Sequence, residues 1–287
     1  MATPPASLPQ TGPTSHSIDL RGRRIHLLEW SPPHPRATLL CVHGGCANAH
    51  WWYHCGNLLG ADHRVLAIDL CGHGASDPLA DGRYSLESHG RDITGILDAL
   101  ELDRIVLVGH SFGAFVSLAA LPTLAGSLAA LVLVDSRGHI RKRAARYLNA
   151  LGKFRNPIYD TRAQAIENFQ LLPRAHSATP EVLRYVAEHS VRQTPEGTWT
   201  LAFDRRALRA TGERNFQREM ALLREPVLIV RGEHSTTLTE NALQSLVDEI
   251  PHARSEIVEG AHHHVMLDQP EVFARVITSF VDGISTD

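Results

Sequence analysis

Ser111 sits between two glycines in Gly109-His110-Ser111-Phe112-Gly113, directly after the apolar run Ile105-Val106-Leu107-Val108. That run, mostly β-branched, reads as a buried strand, and Ala114 to Leu121 opens an apolar helix. G-x-S-x-G at a strand–turn–helix junction is the pattern of a nucleophile elbow. Glycines without Cβ atoms let strand and helix approach closely, which leaves the serine strained and exposed. Ser111 is therefore the candidate nucleophile. The same geometry aims the N–H of Phe112 and the positive end of the helix at the point where an oxyanion would form. A serine nucleophile also needs a base within hydrogen-bond reach and a carboxylate that orients the base. Three consecutive histidines, His262, His263 and His264, compete for the first role, and Asp135 stands at the end of the apolar run Ala130 to Val134, at the edge where ligands of an open α/β sheet bind.

Alternating strands and helices must position these groups. Ile18 to Leu20 and Ile25 to Trp30 flank a turn and suggest an opening hairpin, preceded by a Pro-, Ser- and Thr-rich leader over residues 1–15. Ala37 to Val42 reads as a central strand ending in His43-Gly44-Gly45-Cys46, where a loop N–H at Gly45 can supply a second oxyanion donor. A helix is expected from Trp51 to Leu59, a strand over Val65 to Asp69, and a helix from Ser85 to Leu102 with Ile93, Ile96, Leu97 and Leu100 on its buried face. Asp69, His73 and Asp77 suit the anchoring of a glycine-rich loop rather than catalysis. The alternation implies a parallel sheet covered on both faces, with ligands at the carboxyl edge of its strands.

From Arg137 the alternation stops. Residues 137–215 contain helical stretches at Ala144 to Leu151, Arg162 to Leu172 and Pro180 to Ser190, with no strong strand before Pro226. An insertion of this size suggests a helical lid, or cap, over the active edge. The sheet resumes at Val227 to Arg231 and Ser255 to Val258, with helices over Glu240 to Asp248 and Pro270 to Val281. The expected division is core at 16–136 and 216–287 and cap at 137–215.

With 28 basic and 31 acidic residues, the near-neutral balance argues against nucleic acid or an anionic membrane as partner. No apolar run reaches spanning length, and residues 1–15 lack the basic and apolar regions of a secretory signal, so a cytoplasmic location is expected. Cys41, Cys46, Cys55 and Cys71 lack zinc spacing and read as buried thiols.

Taken together, His43-Gly44-Gly45, the segment Asp69 to Asp77, the Ser111 elbow, Pro226 to Gly232, and Gly260 to Pro270 resemble the α/β-hydrolase family in order and spacing, from about residue 17 onward. The resemblance implies an eight-stranded, mostly parallel sheet with a lid after strand six. It also selects among the histidines: family members carry the base five residues before an acidic residue that precedes x-Pro. Here that acid is Asp268 in Asp268-Gln269-Pro270, which selects His263. The family most often places the orienting acid three residues after the strand-seven glycine, where this chain has Ser235, followed by Thr236 and Thr237. None of these can be an anion. A minority supplies it at the end of strand six, which implies Asp135, with Glu233 as the rival.

Two functions follow. The first is a serine hydrolase of a carboxylic ester or related acyl bond in a small, largely apolar substrate, with Ser111, His263 and Asp135 catalytic and the N–H groups of Phe112 and Gly45 as oxyanion hole. It calls for no metal or organic cofactor, and its partner is a small molecule. Amide, thioester, lactone or carbon–carbon bond cleavage would use the same groups. The second is a non-catalytic ligand-binding member, suggested by the missing strand-seven acid and opposed by the retention of both Ser111 and His263.

Overall fold

The computed structural model describes residues 12–124 and 126–284. Eight strands form the main sheet: β1 (Thr14–Asp19), β2 (Arg24–Trp30), β3 (Thr38–Val42), β4 (Arg64–Ile68), β5 (Ile105–His110), β6 (Leu128–Val134), β7 (Val227–Gly232) and β8 (Arg254–Val258). Their spatial order is β1-β2-β4-β3-β5-β6-β7-β8. Only β2 runs against the others, because its pairings with β1 and β4 are antiparallel and the remaining pairings are parallel. The mostly parallel sheet read from the alternation is present.

The period-2 pattern of the central strands divides the core in two. Ile105 and Leu107 of β5 join one apolar cluster, with α2 (Leu86–Ala99) and α3 (Phe112–Ala120). Val106 and Val108 join the other, with α1 (Tyr53–Leu59) and the last helix, Pro270–Asp282. Successive side chains of a strand point to opposite faces, so a strand buried on both sides must be apolar throughout. Ser85 caps α2 in a reciprocal pair with Ser88, which satisfies two otherwise orphan N–H groups and fixes where the helix begins.

Register then places the loops. Val42 lies opposite Gly109, His110 opposite Val134, and Val134 opposite Val230. The segments that follow β3, β5, β6 and β7 therefore leave one edge of the sheet side by side, about 5 Å apart per strand. Asp69 holds the neighbouring loop as expected: its carboxylate accepts from the N–H groups of Ala49 and Ala75 at 2.6 and 2.8 Å and from His26 at 2.7 Å.

Between β6 and β7 lie α4 (Lys142–Leu151), α5 (Arg162–Glu167), α6 (Pro180–His189) and α7 (Gln217–Met220), together with two short antiparallel pairs, Val191–Gln193 with Trp199–Leu201 and His139–Ile140 with Arg214–Asn215. Strands of two and three residues are too short to show a period, which is why none was expected there. This insertion is tied to the core by backbone bonds of 2.7 Å from Gly74 N–H to Ala202 and from Asp204 N–H to Gly72.

Other departures are local. β1 begins at Thr14, inside the stretch read as leader, whose residues 1–11 lie outside the described part. Trp51 and Trp52 belong to a 3₁₀ turn, Ala49–Trp52, that precedes α1 rather than to the helix itself. α5 ends at Glu167, short of the expected Leu172. No described helix is long and apolar enough to cross a membrane.

Candidate active site

Ser111 occupies the turn between β5 and α3 with φ 53° and ψ −113°, a conformation that costs a non-glycine residue of order 1–3 kcal/mol. Close packing enforces it. A Cβ on Gly109 would meet Ala114 Cα at 2.7 Å, and one on Gly113 would collide with the carbonyl oxygens of Val42 and His43. Ser111 N–H donates to Val134 O at 3.0 Å, which moors the elbow to the next strand. The serine is half-buried rather than exposed.

Asp135 is the first residue beyond β6, again with positive φ (46°), and it is fully buried. Its N–H donates to Val230 O at 2.7 Å. Its carboxylate accepts from Gly232 N–H at 3.1 Å through Oδ1, and through Oδ2 from Ser235 Oγ at 2.6 Å and His263 Nδ1 at 2.7 Å. His263 Nε2 lies 3.0 Å from Ser111 Oγ. Serine, imidazole and carboxylate thus form one hydrogen-bonded chain. With Nδ1–H held by the carboxylate, Nε2 is left as acceptor for the serine proton.

The rival carboxylate points elsewhere. Glu233 is about half exposed and accepts Gly260 N–H at 2.8 Å. Ser235, at the position where the acid was looked for first, donates to Asp135 instead, and its own oxygen accepts from Thr237 and Leu238 N–H at 3.1 and 3.2 Å. Sequence reasoning missed this contact, since nothing local ties residue 235 to residue 135.

Two groups hold the histidine loop. Asp268 accepts His262 N–H at 2.7 Å with one oxygen and the N–H groups of Ser177 and Ala178 with the other, so the acid used to locate His263 anchors its loop to the insertion. His110 Nε2 donates to His263 O at 3.0 Å. Burial, reinforced by His263 and His264, lowers the pKa of His110 well below the ordinary range, and burial first, then His263, brings His264 to about 3, so both rings are neutral. Ring nitrogens of His110, His263 and His264 lie within 4.8 Å of one another, the one such group among the described residues. Both nitrogens of His263 are engaged, so an ion shared by all three rings would have to displace Asp135 or Ser111.

The loop after β3 flanks the elbow. A Cβ on Gly44 would stand 3.3 Å from Ser111 Cβ, and one on Gly45 would stand 3.7 Å from Phe112 Cβ. Among the described residues, the N–H groups of Phe112 and Gly45 donate to no backbone acceptor. The four cysteines are free thiols. Three are buried and Cys46, in this loop, is partly so; burial raises its pKa to about 12.

A sequence model of the alpha/beta hydrolase fold matches residues 37–270. The chain belongs to that family. It is 30% identical over 284 residues to the esterase Rv0045c of Mycobacterium tuberculosis, covering 94% of this chain and 91% of the relative. It is 29% identical over 223 residues to the 2-(acetamidomethylene)succinate hydrolase of Mesorhizobium japonicum, covering 76% of this chain and 78% of the relative. Among solved structures, an E-2-(acetamidomethylene)succinate hydrolase superposes with a TM-score of 0.83 at 24% identity, over 94% of this chain and all of the other, a likeness of fold. With the family match, relatives that are esterases and hydrolases make this chain a hydrolase.

Proposed function

We propose that this hydrolase cleaves a carboxylic ester or related acyl bond of a small, largely apolar substrate through an acyl-enzyme on Ser111. Ser111 Oγ attacks the carbonyl as His263 Nε2 takes its proton. The N–H groups of Phe112 and Gly45 receive the oxyanion, and the helix α3 dipole favours the same charge. His263 then returns the proton to the leaving group, and water reverses the sequence to free Ser111. Asp135 keeps Nδ1 protonated and stabilises the transient imidazolium. The insertion at 137–215 acts as cap, its Phe169, Leu172, Leu201 and Phe203 walling a small cavity beside the Gly45 loop.

The observation that carries this reading is the unbroken chain from Ser111 Oγ through His263 to the buried Asp135. A ligand-binding protein has no chemical need for it. Mass spectrometry of protein quenched during turnover of a short p-nitrophenyl ester tests the proposal. An acyl adduct on the Ser111 peptide is expected, and turnover without a serine adduct in any quench condition would count against the mechanism.

A further inference from the structure

The cavity walled by the cap is about 50 Å³, floored by Gly45 and Cys46 and closed by Trp51, Phe169, Phe203 and Arg205. Its lining is mostly apolar and includes one charged side chain, Arg205. The placement of that arginine is built. The backbone bonds joining Gly74 to Ala202 and Asp204 to Gly72 fix the chain on its N-terminal side. Asn156 Oδ1 accepts from Arg205 Nε at 2.6 Å, and Asn156 is itself held by donation to Phe203 O at 2.6 Å. The adjacent carboxylate is taken: Asp204 accepts from Arg206 Nη2 at 2.7 Å and from the Tyr84 hydroxyl at 2.8 Å. Among the described residues, the Nη groups of Arg205 donate to no protein acceptor, and no carboxylate stands within 4 Å of them. Its positive field reaches the Cys46 thiol on the cavity floor.

Arg205 is half-buried, and its guanidinium is held through Nε alone, which leaves both Nη groups without an anion. Its two Nη groups form the planar edge that matches a carboxylate. We infer that Arg205 binds a single carboxylate at the far end of an otherwise apolar acyl group, which narrows the proposed substrate to monoesters, or related acyl derivatives, of short dicarboxylic acids. The inference rests on Ser111 being the nucleophile. The acyl side is indicated because Gly45, whose N–H is assigned to the acyl oxygen, forms part of the cavity wall, and the volume of about 50 Å³ suits a carboxylate on a short methylene arm rather than an aryl leaving group.

The test compares monomethyl succinate and monomethyl glutarate with methyl valerate in a pH-stat, using wild type, Arg205→Met, Arg205→Lys and Asn156→Ala. In Arg205→Met the ratio of kcat/KM for charged over neutral ester should fall about 10- to 100-fold, chiefly through KM. Arg205→Lys should recover part of the ratio, and Asn156→Ala should lower it less while keeping the charge. Fluorophosphonate labelling of Ser111 on the same preparations separates the failures. No labelling of folded wild type removes the nucleophile reading and this inference with it. Labelling with an unchanged ratio overturns the carboxylate site alone. Should wild type label but turn over none of these esters, succinate and glutarate must slow labelling of wild type and not of Arg205→Met; equal labelling rates would overturn the site.

Discussion

Replacing Asp135 by asparagine removes one charge and almost no volume, and the surrounding hydrogen bonds dictate what happens next. Oδ1 accepts from the N–H of Gly232, a donor that cannot turn, so the amide oxygen must take that side. The amide nitrogen then occupies the place of Oδ2, facing His263 Nδ1 and Ser235 Oγ. Ser235 has little capacity to accept, because its oxygen already receives the N–H groups of Thr237 and Leu238. The amide therefore donates to His263 Nδ1, which moves the imidazole proton to Nε2, opposite Ser111 Oγ. In that tautomer the ring cannot take the serine proton. Loss of the correct tautomer in a serine–histidine–aspartate arrangement costs about 10⁴ in kcat, or roughly 5 kcal/mol of barrier. The disturbed buried network adds a stability loss of about 1–3 kcal/mol. Steady-state kcat on p-nitrophenyl acetate, with thermal unfolding of each variant as control, measures both. Folded Asp135→Asn retaining kcat within tenfold of wild type would refute the reasoning.

Three further outcomes are expected. Ser235→Ala should lower stability by about 1–3 kcal/mol by urea denaturation and reduce kcat, since Asp135 loses a donor while the N–H groups of Thr237 and Leu238 lose their acceptor; unchanged values would show that Ser235 is not part of the acid's support. Gly113→Ala should give little folded protein by circular dichroism, because the new methyl meets the carbonyls of Val42 and His43, and a stable variant would show that strand and helix can separate. His50 is stacked on His189 at 4.0 Å, and burial, then His189, brings its pKa to about 4. The unfolded chain protonates His50 near 6.5, so between pH 6.5 and 4 it binds protons that the folded chain refuses, and stability falls as the pH drops. The urea midpoint should fall from pH 7 to pH 5, by less in His50→Gln; an identical fall in both proteins would place the acid lability elsewhere.

What could be read from the sequence follows the reach of each physical signal. β5, the elbow and α3 were legible because a buried strand, a glycine turn and an apolar helix are each local patterns, and register along the sheet then brings Ser111 and Asp135 to one edge. β1 was legible only at its end. Thr14, Ser15 and Ser17 are exposed polar residues whose strand conformation comes from pairing with β2, not from their own pattern. Asp135 could be singled out by the absence of any anion at 235–237, together with the resemblance that offers strand six as the other source. The bond from Ser235 to Asp135, and the fixing of Arg205 by Asn156, join residues far apart in sequence and have no local signature. Spacing to Asp268 pointed to His263 for a reason visible only in three dimensions, because the Asp268 carboxylate holds the histidine loop.

The central claim is that Ser111 is activated through His263 by Asp135. The most direct measurement is the rate of fluorophosphonate labelling of wild type, Asp135→Asn and Glu233→Gln, with the adduct mapped by mass spectrometry. The account predicts rapid labelling at Ser111 in wild type and Glu233→Gln and near-complete loss in folded Asp135→Asn. Absence of labelling in folded wild type, or a loss in Glu233→Gln that Asp135→Asn does not share, would contradict it.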